Sequence, residues 1–280
     1  MLDLHTHSTA SDGTYRPPEL VGEAARAGVT HLALTDHDGI GGLAEARAEA
    51  ENRGVAFLGG VEISAEYGPG TMHILGYGFR EDDAAFNAKL AELRGAREER
   101  NPKIAQRLRE LGMEVTVDDA AAVAGGKVVG RPHFARVLVE KRYVESTQEA
   151  FDRFLAKGRP AYVDKVRLGP AQSIAAIRDA GGVAVLAHPN QLKTRDAREL
   201  EGVVKGLADL GLQGIECFYR DHAEVDEAKF LAIAKTFRLA PTGGSDFHGA
   251  NRPDIRLGVG EGQMRVPPWC WDRLMEIVRG

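Results

Sequence analysis

Cysteine is nearly missing from this chain: Cys217 and Cys270 are the only two in 280 residues, with no CxxC spacing. That excludes a disulfide framework and a zinc ribbon, and a reducing cytoplasm is the expected location. Long apolar runs are missing as well; none approaches the ~18 residues that a membrane span needs. The opening residues carry no basic region followed by an apolar stretch, so no secretory leader is expected. There is no internal repeat and no low-complexity segment. The net charge of −5 argues against a nucleic-acid coat protein, and neither a membrane partner nor a stable nucleic-acid complex is expected. The composition carries no signal for an oligomeric state.

What is present suits one large α/β domain, or one domain carrying an insertion: 43% of the residues are apolar and 28% charged. Short apolar runs alternate with amphipathic stretches, the pattern of βα units around a parallel sheet or barrel. The runs predict strands at Leu2–His5, His31–Thr35, Ala56–Gly59, Met72–Gly76, Gly182–Ala187, Gly214–Cys217 and Leu239–Thr242. Helices are expected from Pro17 to Gly28, from Gly42 to Arg53, over Gln172–Ala180 and over Glu199–Leu210. The rhythm breaks between Arg94 and Lys165. There Arg94–Leu111, Val117–Ala124, His133–Lys141 and Thr147–Ala156 all read as helix, with no strand between them. The expected division is therefore a barrel of residues 1–93 and 166–280 and a helical insertion of residues 94–165. The insertion holds 15 basic and 11 acidic residues, against 21 and 30 elsewhere. A relatively basic segment on an acidic body suits an anionic substrate, and equally suits a solvated helical surface.

The chemistry lies in the histidines and acids. His5 and His7 are two apart, so on a strand both rings project to one face, and Asp12 follows in the next loop. A single His-x-His is a weak signal. Here the grammar repeats through Asp36-His37, Glu62, His73, His188 in Ala-His-Pro, and Asp246-x-His248. Apart from His73, which sits near the fourth expected strand, they fall at or just past strand ends, the rim on which α/β barrels build active sites. Mixed imidazole and carboxylate ligands suit zinc, manganese or iron, and a closed thiolate site is excluded.

The motifs Asp-Leu-His-Thr-His-Ser, Thr-Asp-His-Asp, Gly-Val-Glu-Ile-Ser, Ala-His-Pro and Gly-Ser-Asp-Phe-His-Gly occur in order from residue 3 to residue 249. In this the chain resembles the PHP family, named for polymerase and histidinol phosphatase. The resemblance implies a distorted seven-stranded (β/α) barrel and three divalent metal ions. One ion would take His5, His7, Glu62 and Asp246; a second would share Glu62 and add His73 and His188. The third would take Asp12, His37 and His248, where some family members have histidine in place of Asp12. Manganese is the expected metal, with iron or zinc as alternatives. Three such ions outweigh the three ligand carboxylates in charge, which favours a phosphate dianion and metal-assisted attack by a bridging hydroxide. Asp36 would stand behind the ligands and orient His37 or a neighbour.

Arg131 and His133, in Gly-Arg-Pro-His-Phe-Ala, read by themselves as a helix start after Pro132. The same segment resembles the branch of small nucleotide phosphatases that remove the 3′-phosphate of nucleoside 3′,5′-bisphosphates. That resemblance gives Arg131 and His133 a hold on substrate phosphate, and Lys165 a weaker one. His222 is either a proton donor to the leaving oxygen or a surface-loop histidine. His31 reads as structural, Glu216 as a pocket carboxylate without a nameable partner, and Phe134, Phe151 and Phe154 as core. The resemblance also leaves open 5′-to-3′ trimming of short RNA and histidinol phosphate hydrolysis. An amidohydrolase shares the His-x-His opening but usually bridges its metals with a carboxylated lysine, where Glu62 stands here. A metal-storage protein would have little use for the Arg-Pro-His motif.

Overall fold

A computed structural model of the chain describes residues 1–124, 128–164 and 167–280. Its strands are β1 (Leu2–Asp3), β2 (His31–Leu34), β3 (Ala56–Ala65), β4 (Met72–Tyr77), β5 (Val183–Leu186), β6 (Gly214–Tyr219) and β7 (Ala240–Gly244). The barrel helices are α1 (Pro17–Arg26), α2 (Leu43–Arg53), α7 (Pro170–Asp179), α8 (Ala197–Asp209), α9 (Glu224–Phe237) and α10 (Pro268–Val278). Between β4 and α7 come α3 (Ala84–Glu110), α4 (Val117–Ala124), α5 (Arg131–Glu140) and α6 (Thr147–Ala150), the last running into a wider π-helical turn at Phe151–Leu155.

The seven strands lie in chain order. The two ends of the sheet approach where the Leu4 N–H donates to the Gly243 carbonyl at 3.1 Å and Thr6 bridges Phe247. The result is a nearly closed barrel. It is not all parallel, as a chain of βα units would be: β4 runs antiparallel to both β3 and β5. The reason is short reach. Too few residues separate Ala65 from Met72 to hold a crossover helix, so the chain turns back as a hairpin. β3 also extends to Ala65, which places Glu62 within the strand rather than after it.

Alternation along the strands sorts the core. Leu4, Ala33, Leu58, Leu75, Val183 and Val185 pack with Tyr77 and Leu274 of α10 into a small apolar layer. Their neighbours Leu32, Leu34, Ala184 and Leu186 belong instead to the larger core under the helices. Each fully buried Leu or Ile contributes about 1.5–3 kcal/mol.

A separate apolar core lies among α3 to α6, built on Ile104, Leu108, Phe134, Leu138 and Leu155. Helix α3 joins the two cores. It begins ten residues before the expected start, because the Asp83 carboxylate accepts the Phe86 N–H at 3.0 Å and caps it. Its first part sends Phe86, Leu90 and Leu93 into the barrel core. Its later part sends Ile104, Ala105 and Leu108 into the helical one. No described helix is long and apolar enough to cross a membrane.

Candidate metal centre

The loops after β1, β2, β5 and β7 and the strands β3 and β4 converge on Glu62, which is 1% exposed. Its Oε2 faces His5 Nε2 at 3.3 Å, His7 Nε2 at 3.2 Å and His37 Nδ1 at 3.0 Å. Its Oε1 faces His73 Nδ1 at 2.5 Å and His188 Nε2 at 3.1 Å. Asp246 Oδ1 lies 3.1 Å from His7 Nε2 and 3.5 Å from His5 Nε2. Asp12 lies 3.2 Å from His248 Nε2 and 3.7 Å from His37 Nε2. Ligand atoms within 4.8 Å of one another fall into three groups: His5, His7, Glu62 and Asp246; His7, Asp12, His37 and His248; His37, Glu62 and His73.

The backbone accommodates this convergence at some cost. His188 (φ 26°), Asp246 (φ 54°) and Asp38 (φ 53°) all have positive φ, a region in which L residues are strained by about 1–3 kcal/mol. At Gly244 a Cβ would overlap the backbone and the Cβ of His5, so only glycine lets β7 approach so closely.

The donor set fits divalent cations. His5 Nε2, both nitrogens of His7, His37 Nδ1, His188 Nδ1 and Glu62 Oε2 are buried without a hydrogen-bond partner among the described residues. Each such atom costs about 1–3 kcal/mol when left unsatisfied. Imidazole nitrogens facing carboxylate oxygens at such distances would be satisfied together by cations between them. The charges agree. Burial raises Glu62, but His73, His37 and His5 outweigh it and hold the carboxyl well below its usual range. Asp12 is likewise held low against burial by His37 and His248, and Asp246 by Arg220, His248 and His5. Burial lowers His7, yet Asp246 and Glu62 push it up to about 10. Burial also takes His37 down to about 3, against the pull of Glu62 and Asp12. The ionised carboxylates thus favour protons on His5 and His7, whereas burial keeps His37 and His73 neutral, and metal binding would displace the protons from the first pair.

Beside this cluster lies a cleft of about 540 Å³ whose walls include Asp12, His37, His73, Arg97, Arg100, Arg131 and Arg167. Arg97 pairs with Asp38 at 2.6 Å and Arg167 pairs with Asp164. Arg100 and Arg131 have no carboxylate partner among the described residues. Burial, then Arg97, Arg131 and Arg167, push Arg100 down to about 9. Tyr67, Phe151 and Tyr162 supply aromatic wall, and the Arg131 guanidinium lies 5.2 Å from the Tyr162 ring centre. Guanidinium groups without counter-charges beside a metal-ligand cluster make a receptor for a multiply charged anion.

Comparison with known proteins agrees with this geometry. The PHP domain family matches residues 3–157, more than half of the chain. The chain belongs to the PHP family of metal-dependent phosphoesterases. It is 36% identical over 270 residues to a 3′,5′-nucleoside bisphosphate phosphatase of Chromobacterium violaceum, covering 96% of this chain and 93% of that one. It is 37% identical to a 5′-3′ exoribonuclease of Haemophilus influenzae, covering 88% and 89%. A crystal structure from Bifidobacterium adolescentis, described as a metal-dependent phosphoesterase, superposes with a TM-score of 0.88 at 29% identity, covering 99% and 96%.

In this PHP centre the supporting carboxylates bond mainly to the loops that carry the ligands. Asp36 does not touch His37; it accepts from Ser8 N at 2.8 Å, Ser8 Oγ at 2.6 Å and Ser11 Oγ at 2.5 Å. It therefore shapes the loop between His7 and Asp12. Asp3 does the same for the other end, accepting from Ser245 N and Gly258 N, both at 2.8 Å. Asp246 Oδ2 accepts from the Tyr219 hydroxyl at 2.7 Å, which leaves Oδ1 for the histidines. Glu216 meets His5 and the His188 backbone. A carboxylate at an inward position of an expected strand was the only sequence signal for it, and Asp3, Tyr219 and Arg220 had none.

Arg131 lines the cleft and donates to the Leu155 carbonyl at 3.0 Å. His133 is fully buried and is not among the cleft-lining residues. Its Nδ1 accepts the Gly130 N–H at 2.9 Å, and burial lowers its pKa, so the neutral ring carries its proton on Nε2. That Nε2 has no partner among the described residues. Lys165 lies outside the described residues. His222 joins neither the ligand groups nor the cleft. Its Nδ1 donates to the Cys217 carbonyl at 2.9 Å, and its ring packs 4.7 Å from that of Phe230. Cys217 is the extra residue where the β6–β7 register shifts, so His222 satisfies the carbonyl of a β-bulge.

Proposed function

We propose that the protein removes the 3′-phosphate from nucleoside 3′,5′-bisphosphates, and that residues 94–165 form the cap that recognises the substrate. The observation that carries this reading is the juxtaposition of two anion-seeking features: the ligand cluster, and the arginine-lined cleft beside it. A substrate with one phosphate would engage the first; a bisphosphate engages both. The aromatic walls at Tyr67, Phe151 and Tyr162 suit a nucleoside between them. The substrate named for the Chromobacterium violaceum relative, a 3′,5′-nucleoside bisphosphate, has this chemistry.

His5, His7, Glu62 and Asp246 would hold one ion, Glu62, His73 and His188 a second, and Asp12, His37 and His248 a third, with manganese the metal we favour. When bound, the ions supply Lewis acidity and an activated water at neutral pH. The chain supplies the rest. Glu62 keeps both oxygens ionised and shared between the ligand groups. Arg131 offers a planar fork to a phosphoryl oxygen, and the buried, unpartnered Nε2–H of His133 is a further candidate donor although it does not line the cleft. Lys165 is a further candidate phosphate contact.

The test is phosphate release by manganese-loaded protein from a nucleoside 3′,5′-bisphosphate, a nucleoside monophosphate, histidinol phosphate and a 5′-phosphorylated oligoribonucleotide. Fastest release from the bisphosphate is expected. Release from none of the four would end the proposal, and preference for the oligoribonucleotide would replace it with the exoribonuclease reading.

A further inference from the structure

We infer that Glu216 is a positioning residue: it sets the ring tautomer of His5 and fixes the backbone of His188, so one buried carboxylate couples two ion sites. The inference rests on the metal centre proposed above. Glu216 is fully buried and belongs to none of the ligand groups. Its Oε1 lies 3.2 Å from His5 Nδ1 and its Oε2 accepts the His188 N–H at 2.7 Å.

Each contact has a consequence. A carboxylate at Nδ1 keeps the ring proton there, so His5 Nε2 turns a lone pair toward Glu62 and Asp246, at 3.3 and 3.5 Å. His188 has φ 26° and ψ 66°, a conformation L residues rarely adopt. A charge-assisted bond to its N–H holds it there and keeps Nε2 3.1 Å from Glu62 Oε1. The β-bulge at Cys217, just after Glu216, shifts the register with β7, and pairing resumes at Phe218 with Gly243. Glu216 thus acts on both ion sites through their ligands without touching either ion position.

The test is manganese titration of substrate-free wild-type and Glu216→Gln proteins in competition with a chelator. Glutamine keeps the shape, but it can accept only with one atom. With its oxygen on the His188 N–H, its amide N–H₂ faces His5 Nδ1 and favours the tautomer protonated at Nε2, which cannot bind the ion. Binding at the His5 position should weaken by about 10- to 100-fold, with the Tm little changed. Equal affinity and stoichiometry in the two proteins would overturn the inference. Wild-type protein that binds no divalent ion would overturn the metal centre and this role together, so the two failures are distinguishable. A second readout needs no variant: in zinc-loaded wild-type protein, long-range ¹H–¹⁵N correlations should place the His5 proton on Nδ1. A proton on Nε2 would refute the role.

Discussion

The barrel and the helical segment bury opposite things. Beneath the barrel rim, fully buried His5, His7 and Glu62 face one another with ring and carboxylate atoms that lack hydrogen-bond partners. Among α3 to α6 the buried cluster is apolar, and the charges that matter, Arg100 and Arg131, stand at its edge on the cleft. The first arrangement leaves polar atoms that cations would satisfy; the second is an apolar cluster that presents cations at its edge. Under the proposed function, reaction and recognition would fall to different parts of the chain. They meet at the loop carrying His37, where Arg94 donates to the Asp38 carbonyl at 2.9 Å and Arg97 pairs with the Asp38 carboxylate.

Breaking the barrel side should have the largest effect. Glu62→Ala removes the carboxylate shared between ligand groups, and turnover should fall at least about 10³-fold, equivalent to roughly 4 kcal/mol of transition-state stabilisation. Steady-state phosphate release checks this, with circular dichroism confirming the fold; an active variant would refute the shared ligand. Emptying the other core should cost stability first. Phe134 is fully buried, and Phe134→Ala should lose about 3–5 kcal/mol in urea unfolding. Manganese stoichiometry at low temperature should survive, and its loss would show that the two cores are one unit.

A smaller effect separates recognition from metal binding. Arg100→Ala should lower kcat/KM for the bisphosphate by roughly 10- to 100-fold, the value of one charged hydrogen bond, while metal affinity stays unchanged. Equal losses on mono- and bisphosphates would break the division of labour. The smallest concerns Asp119 at the far end of the helical segment. Its hydrogen bond from Lys141, with help from Thr116, lowers its pKa to about 2. A depressed carboxyl stabilises the fold above its unfolded value near 3.8, and that contribution fades as pH falls toward 2. The pair is partly exposed, so Asp119→Asn should cost under about 1 kcal/mol at pH 5. The deficit should shrink by pH 3 in urea titrations; a constant deficit would contradict it.

Much of this was legible in the sequence because period and motif are local. Seven strands could be read from short apolar runs, and the His/Asp pairs announced a metal site through their positions at strand ends. The reversed direction of β4 was hidden, because strand direction depends on the connection and not on the strand. Helix α3 was read ten residues short, since its cap is a single Asp83 in an acidic stretch. Arg97 and Arg100 looked like ordinary charged helix residues, and only tertiary packing turns that face inward. The carboxylates behind the ligands were the least legible. Glu216 meets His5 from 211 positions away, a pairing with no local signature.

The central claim is that metal chemistry and bisphosphate recognition sit on opposite sides of one cleft. It is tested most directly by kcat/KM of manganese-loaded wild-type protein on a nucleoside 3′,5′-bisphosphate and on the matching 3′-monophosphate. The second phosphate should raise kcat/KM at least about tenfold, the value of one well-placed charged contact. Equal values would contradict the account.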